Sequence, residues 1–338
     1  MAIDCGSQII LCDLPLRYDT YTGCSHACTY CFVKRKRDIS QVAVDASIEG
    51  LKKFISGART KQMAWCNWRM PLHWGGTSDP FQPLEKKARA SYRALQIFAE
   101  SKYPFVVSTK GRLIADEEYL TLLDKCNCVV QISAACSEYD KLEKGAPTFD
   151  ERVEIMRKVA PHCKRLIVRI QPYIAECHKS ILANLARLKE AGVYGVTVEG
   201  MKFQRAVKGL IKVGNDICYP EPLLRAKFAE IKEECHRLGM AFYCAENRLR
   251  AMGDDLCCCG VAGLDGFETN KFNYNHIFNG DAVLPTGKMK EKGTAQVFNS
   301  LFQNAGISSL LKDWTFAEAM LSKDVKRCAS KVFDRFAK

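Results

Sequence analysis

Cys24, Cys28 and Cys31 stand at spacings of four and three in "GCSHACTYC". A structural zinc site takes four ligands, usually from two closely spaced pairs, and no clean second pair stands near this stretch. Three thiolates from one short loop suit a cubane iron–sulfur cluster better. Each thiolate holds one iron, and the fourth iron keeps an open position for a small ligand. Tyr30 and Phe32 flank the last thiol and can shield such a cluster from water. His26, inside the loop, is expected to pack it rather than to ligate. The basic run Lys34, Arg35, Lys36 and Arg37 follows at once. It is either a solvated turn or a rim on which phosphate rests.

A second concentration of thiols lies in "YCAENRLRAMGDDLCCCGVAG", where Cys257, Cys258 and Cys259 are consecutive and Cys244 ends an expected strand. Adjacent side chains of an extended segment point opposite ways, so all three cannot easily share one metal. Two of them with Cys244 could hold an auxiliary iron–sulfur site. The alternatives are a thiol beside the substrate, acting as hydrogen-atom or electron donor, and plain burial. Cys126 and Cys128 open an expected strand, where burial is the simpler account.

These groups need a scaffold, and the hydrophobic periods supply one. Helix-like and strand-like segments alternate from about residue 41 to residue 245. "PLHWGG", "PFVVSTK", "CVVQISA", "RLIVRIQP", "YGVTVEG" and "MAFYCAE" read as strands, with one more expected around Tyr18. Helices are expected between them. One long helix is read over "PLEKKARASYRALQIFAESK", with Pro83 at its start. Another follows "TFDERVEIMRKVA", where Thr148 and Glu151 form a capping-box pattern. This order gives parallel strands with right-handed crossovers. The expected fold is α/β, a partial (β/α) barrel of about six parallel strands over residues 1–245. An irregular cysteine-containing C-terminal extension over 246–338 is expected to pack on it. Chemistry in such a barrel sits at the carboxyl ends of the strands. Thr77, Ser78, Asp79, Ser108, Thr109, Lys110, Ser133, Arg169, Gln171, Glu199, Cys244 and Glu246 fall there.

The 338 residues are 47% hydrophobic and 26% charged, enough for a large core. No apolar run of about 18 residues spans a membrane, and the first residues lack a cleavable-signal pattern. A cytoplasmic protein is therefore expected, with its 18 cysteines reduced or ligating rather than paired. The formal net charge of +12 favours phosphate-bearing partners. Lys288, Lys290 and Lys292 add a second basic stretch, and Trp65, Trp68 and Trp74 are either stacking faces for bases or core.

The CxxxCxxC pattern, with an aromatic before its last cysteine and ahead of β-α units, resembles the radical S-adenosylmethionine (SAM) superfamily. "HWGGTSDPFQPLEKK", "FVVSTKGRLI", "VVQISAA", "LEKGAPTFDERVEIMRKV" and "VRIQPYI" further resemble its spore photoproduct lyase-like branch, over about residues 17–200. Ser78, Phe81 and Gly111 depart mildly from that branch's pattern. The resemblance implies a 4Fe-4S cluster on Cys24, Cys28 and Cys31, with SAM on the open iron. It implies reductive cleavage of SAM to a 5′-deoxyadenosyl radical that takes hydrogen from a substrate. Tyr30 then lies beside the cofactors, and Gly75, Gly76 and Thr77 lie along the methionine amino group. Lys110, Ser133 and Arg169 meet the carboxylate or the ribose. A cysteine hydrogen donor is also implied, with Cys66, Cys136 and Cys244 as candidates.

The leading substrate class is a nucleic-acid base, a thymine-type or modified pyrimidine in DNA repair or modification. A base inside a duplex would have to be flipped out to be reached. Tailoring of a small molecule, amino acid or peptide is the first alternative, and a non-catalytic metal-bearing nucleic-acid binder the second. Expected partners are DNA and an electron donor such as flavodoxin or ferredoxin.

Overall fold

Short strands rich in β-branched and aromatic residues pair in sequence order, as right-handed β-α crossovers require. The computed structural model describes residues 3–5, 10–35, 38–45, 48–60, 63, 65–213, 216–284, 315–323 and 326. Strand β1 (Ile3–Cys5) runs antiparallel to β2 (Leu16–Tyr18). The parallel strands β3 (Leu72–Trp74), β4 (Phe105–Thr109), β5 (Cys128–Ser133), β6 (Arg165–Tyr173), β7 (Gly195–Gly200) and β8 (Ala241–Cys244) follow. Each joins its predecessor, so seven parallel strands run from β2 to β8. The strand expected around Tyr18 accounts for the count above six. Among the described residues β1 and β8 do not pair, and the sheet is an open, partial barrel.

One helix fills each crossover: α1 (Ile48–Ile55), α2 (Ala90–Ser101), α3 (Glu117–Leu123), α4 (Phe149–Val159), α5 (His178–Glu190) and α6 (Glu221–Arg237). The capping box read at Thr148 and Glu151 is formed at the start of α4. The long helix read from Pro83 is broken. Arg89 takes a left-handed φ of 52°, and a short helix Glu85–Ala88 ends before it. Buried Glu85 explains the break: its carboxylate accepts from Ser91 N at 2.9 Å and Tyr92 N at 2.8 Å, capping α2 from the preceding turn.

Alternation along the strands sorts the side chains into two layers. Phe105, Val107, Val130, Ile132, Leu166 and Val168 face the helices and are buried. Each such side chain contributes about 1.5–3 kcal/mol relative to exposure. Trp65, Trp68 and Trp74 belong to this outer core, which decides between the two readings of them in favour of core. Trp74 packs among Tyr18, Phe81, Phe98 and Phe105 instead.

Ser108, Gln131, Ser133, Arg169, Gln171 and Glu199 face inward, above an apolar inner layer of Val106, Val129, Ile167 and Tyr243. The chain after β8 closes this layer from below. Asp254 N bonds Phe242 O at 2.8 Å, and Arg165 donates to Gly260 O and Ala262 O at 2.9 and 2.8 Å. Asn127 then reaches Asp265 O at 3.4 Å, Trp68 Nε1 reaches Glu268 O at 3.0 Å, and Asn270 N reaches Asp13 O at 2.9 Å. The contacted residues lie at or before the amino ends of β8, β6, β5, β3 and β2. Residues 254–270 therefore form a floor across the barrel, and α7 (Tyr274–Asn279) follows it. No helix among the described residues is long and apolar enough to cross a membrane.

Candidate active site

The three-cysteine loop lies over the carboxyl ends of the strands. Ser25 N donates to Gln82 Oε1 at 2.9 Å, Thr29 N to Leu142 O at 2.9 Å, and Gly145 N to His26 O at 3.2 Å. A Cβ on Gly145 would stand 2.4 Å from Ser25 O, so only glycine allows this approach. His26 is engaged at both nitrogens, with Gly145 O at 2.9 Å and Asp79 Oδ2 at 3.1 Å, as befits a packing residue.

Asp79 ties the loop to β4. It accepts from Thr109 Oγ1 at 2.7 Å, Lys110 N at 2.6 Å and Phe81 N at 2.9 Å. Burial pushes its pKa up, but His26 and these donors pull it down to about 2. Burial likewise opposes protonation of His26, and the Asp79 carboxylate overrides it and raises the His26 pKa.

Cys24, Cys28 and Cys31 carry no disulfide. Burial pushes the Cys24 thiol up to about 12 and raises that of Cys28, which has Lys110 beside it. Iron must therefore displace protons from these thiols on binding. No group of three or more His, Cys, Asp or Glu among the described residues converges on a single metal ion. A cubane asks for something else, since each thiolate binds a different iron and the sulfurs stand apart. Three unpaired thiols on one backbone-clasped loop fit such a cluster.

Tyr30 donates from its hydroxyl to Glu143, which pairs with Arg152 at 2.5 Å and stands 3.8 Å from Lys110 Nζ. Arg152 is only 1% exposed; it donates to Ser133 O at 2.7 Å and reaches Asp140 at 3.4 Å. Burial raises the Glu143 pKa, with Arg152 opposing. Glu143 and Arg152 both lie in the "LEKGAPTFDERVEIMRKV" stretch, but nothing local revealed that they pair. This brace forms one wall of a tight cavity lined by Tyr30, Ser133, Ala134, Glu143, Arg169 and Gln171. Tyr30, Ser133 and Arg169, singled out from sequence, are thus brought together.

Gly75, Gly76 and Thr77 follow β3. Gly75 has a φ of 82°, and a Cβ there would meet Ser108 O at 2.3 Å. A Cβ on Gly76 would meet Arg17 Nη1 at 2.7 Å. Thr77 donates to Asp19 through N at 3.2 Å and Oγ1 at 2.7 Å, and Ser78 N joins at 3.3 Å. Asp19 carried no sequence signal. Deeper in the barrel, Ser108 Oγ donates to Gln131 Oε1 at 2.9 Å and accepts from Arg169 at 2.7 Å. His73 Nε2 is 2.9 Å from Ser108 Oγ. Burial, with Arg169 and Arg17 nearby, drives the His73 pKa well below its ordinary value, so His73 is neutral. Gln171 donates to Glu199 at 3.0 Å, and Arg169 donates to Gln171 at 2.5 Å.

Cys244 is fully buried in the outer core and bonds Glu246 O at 3.8 Å, while Cys257 and Cys259 pack in the inner apolar layer. Cys258, partly accessible, lies against the same inner layer. Cys66, like Cys244, is in the outer core. Cys136 is buried directly after Ala134 and Ala135 of the cavity wall, and burial and Glu138 raise its pKa. In the basic run, Lys34 is exposed and caps Ala27 O at 3.2 Å. Lys36, Arg37, Lys288, Lys290 and Lys292 lie outside the described residues.

Residues 18–171 match the family model of the Radical SAM superfamily. The chain carries a radical SAM domain. Such a domain implies a 4Fe-4S cluster and SAM. The uncharacterized protein Rv2578c of Mycobacterium tuberculosis and the uncharacterized protein Mb2609c of Mycobacterium bovis are each 24% identical to it over 228 residues. The match covers 63% of this chain, and the chain spans 66% of the length of these relatives. Among solved structures, spore photoproduct lyase complexed with dinucleoside spore photoproduct is similar, with a TM-score of 0.53 and 16% identity. That match covers 68% of this chain and 76% of the other. Streptococcus suis SuiB bound to precursor peptide SuiA matches with a TM-score of 0.50 and 13% identity, over 70% of this chain and 50% of the other. At these identities the likeness is one of fold, and it places the radical SAM domain on a familiar partial barrel.

Proposed function

We propose that Cys24, Cys28 and Cys31 hold the cluster, and that the lumen of the domain receives a nucleic-acid base for repair or modification. The observation that carries the site assignment is the clasp of the three-thiol loop onto Asp79, Leu142 and Gly145, directly above the Tyr30–Arg169 cavity. When bound, the cluster and SAM supply one electron and a 5′-deoxyadenosyl radical able to take hydrogen from an organic substrate.

The chain's own residues do the rest. Gly75 and Gly76 let the turn after β3 pack against Ser108 O and the end of Arg17. With Thr77 they are the proposed contacts of the methionine amino group. Lys110, Ser133 and Arg169 are the proposed contacts of its carboxylate or ribose, with cations suited to the carboxylate. The Tyr30–Glu143–Arg152 brace fixes the cavity wall and keeps water from the reacting groups. Cys136, next to that wall, is a better placed hydrogen donor than Cys244.

The net charge of +12 supports a phosphate-bearing substrate. The dinucleoside spore photoproduct bound by the lyase of similar fold points the same way. Peptide tailoring is the second reading, favoured by the likeness to SuiB with its precursor peptide. Anaerobic reconstitution followed by dithionite tests the proposal. Formation of 5′-deoxyadenosine and methionine is expected, and their absence from a fully loaded protein would sink it. Salt-sensitive DNA binding is expected for the base reading; binding of peptides but not DNA would favour the second.

A further inference from the structure

Four carboxylates at the carboxyl end of the barrel are firmly held. Asp19 accepts from Thr77 and Ser78, and Asp79 accepts from Thr109 and Lys110 N. Glu143 is held by Tyr30 and Arg152, and Glu246 pairs with Lys202 at 2.9 Å and Arg248 at 3.0 Å. Glu199 differs. Val196 and Val198 of β7 pack in the outer core, so Glu199 points into the barrel. Its side chain is still 36% exposed, and on an inward-facing position that surface opens to the lumen.

Among the described residues Glu199 makes one hydrogen bond, from Gln171 Nε2 to Oε2 at 3.0 Å. The direction of that bond is fixed. Arg169 carries only donors, so the Gln171 oxygen must face Arg169 and the Gln171 amide nitrogen must face Glu199. Oε2 therefore accepts, and Oε1 keeps its lone pairs. Lys202 Nζ stands 4.0 Å from Oε1, beyond a hydrogen bond, and donates to Glu246 instead. Burial raises the Glu199 pKa, and the Lys202 ammonium opposes it. An open acceptor, Glu199 Oε1, thus stands beside an ammonium with protons to spare.

Their place matters as much as their chemistry. Arg169 and Gln171 line the cavity beside Tyr30, and Gln171 bonds Glu199 directly. Neighbouring strands stand about 4.8 Å apart, so Glu199 on β7 is one strand beyond the cavity wall on β6. A group bound to Glu199 lies next to whatever fills that cavity.

We propose that Glu199, with Lys202 beside it, sets substrate specificity by reading the edge of an unpaired base: a ring N–H donates to Glu199 Oε1, and the acceptor next to that N–H receives from Lys202 Nζ. Carboxylates accept from base N–H groups in this way. In a duplex the same edge is used in pairing, so the subsite takes a base that is single-stranded or flipped out. The inference rests on the base reading of the lumen and adds the residue that would enforce it.

Titration of a short oligothymidylate into the anaerobically reconstituted full-length protein with SAM tests it, against the same oligomer methylated at every N3. The methyl group removes the N–H and leaves the carbonyls and phosphates in place. The wild type should bind the unmethylated oligomer about tenfold or more tighter. Glu199→Ala should bind both oligomers alike, at the weaker of those two affinities. A merely structural role for Glu199 would weaken both together and leave their ratio unchanged, and iron content checks that the variant is folded. Three results overturn the proposal: equal affinity of the wild type for the two oligomers, a ratio that survives in Glu199→Ala, or no saturable binding of oligothymidylate. Mixed-sequence DNA is titrated alongside. If it binds while N3 methylation has no effect, this inference fails alone; if no DNA binds, the base reading fails with it.

Discussion

Glu143 and Arg152 are 3% and 1% exposed, and their ion pair braces the wall that Tyr30 and Ser133 share. Removing one partner leaves the other charge buried and alone. Glu143→Gln should therefore cost about 3 kcal/mol or more of stability. A urea midpoint equal to the wild type would show that the pair is not a brace. The adjacent glycines separate two effects. Gly75→Ala forces a left-handed alanine, worth about 1–2 kcal/mol, and drives its Cβ into the Ser108 carbonyl. Gly76→Ala meets only the movable end of Arg17. Iron loading and thermal midpoint should fall for Gly75→Ala and stay near wild type for Gly76→Ala. The reverse order would refute the backbone argument.

At the scale of elements, α7 is held by its own charge. His276 Nε2 lies 3.0 Å from Asp13 Oδ2, and Nδ1 lies 3.2 Å from Asp281 Oδ1. Burial alone would lower the His276 pKa, but the two carboxylates raise it above the ordinary value. A histidine whose folded pKa is raised stabilises fully below its unfolded value, about 6.5. That stabilisation is lost as pH rises through the folded value. Amide protection over 274–279, corrected for intrinsic exchange, should therefore fall on going from pH 6 to alkaline pH, and His276→Gln should flatten the change. Protection that is level with pH in the wild type would contradict this.

The strands and crossover helices were legible because each carries its own hydrophobic period. The Arg89 break was not, because Glu85 caps α2 across a turn while the periodic pattern runs on unbroken. The cysteine loop was legible from spacing alone. The Asp79–His26 clasp was not, because its members come from distant segments with no common local pattern. Trp65, Trp68 and Trp74 stayed open between core and stacking face because a ring's type does not say whether it faces core or solvent.

For the whole molecule, cluster count and closure are the measurable quantities. A single cluster on Cys24, Cys28 and Cys31 predicts that replacing all three consecutive cysteines with alanine leaves about four irons per chain. Cys28→Ala should lose most of them. A halved iron count in the triple variant would restore an auxiliary cluster. A chain ended at Asp254 loses the floor and exposes Val106, Val129 and Ile167 from below. It should unfold without the sharp transition of the full chain, and a transition equal to the full chain's would remove the floor from the account.

The floor also sets an order in time. Residues 254–270 and α7 leave the ribosome long after β2, yet they pin Ile10, Leu11 and Asp13 through Tyr274 N, Asn275 Nδ2 and Asn270 N, each within 2.9 Å of its acceptor. Synthesis proceeds from the N-terminus at about 5–20 residues per second. The cysteine loop therefore emerges many seconds before the barrel beneath it can be sealed. Throughout that interval its three thiols sit on an unfinished chain, open to oxygen and to the wrong metal. Cluster delivery is thus expected to follow completion of the chain, and the C-terminal segment acts as the timer.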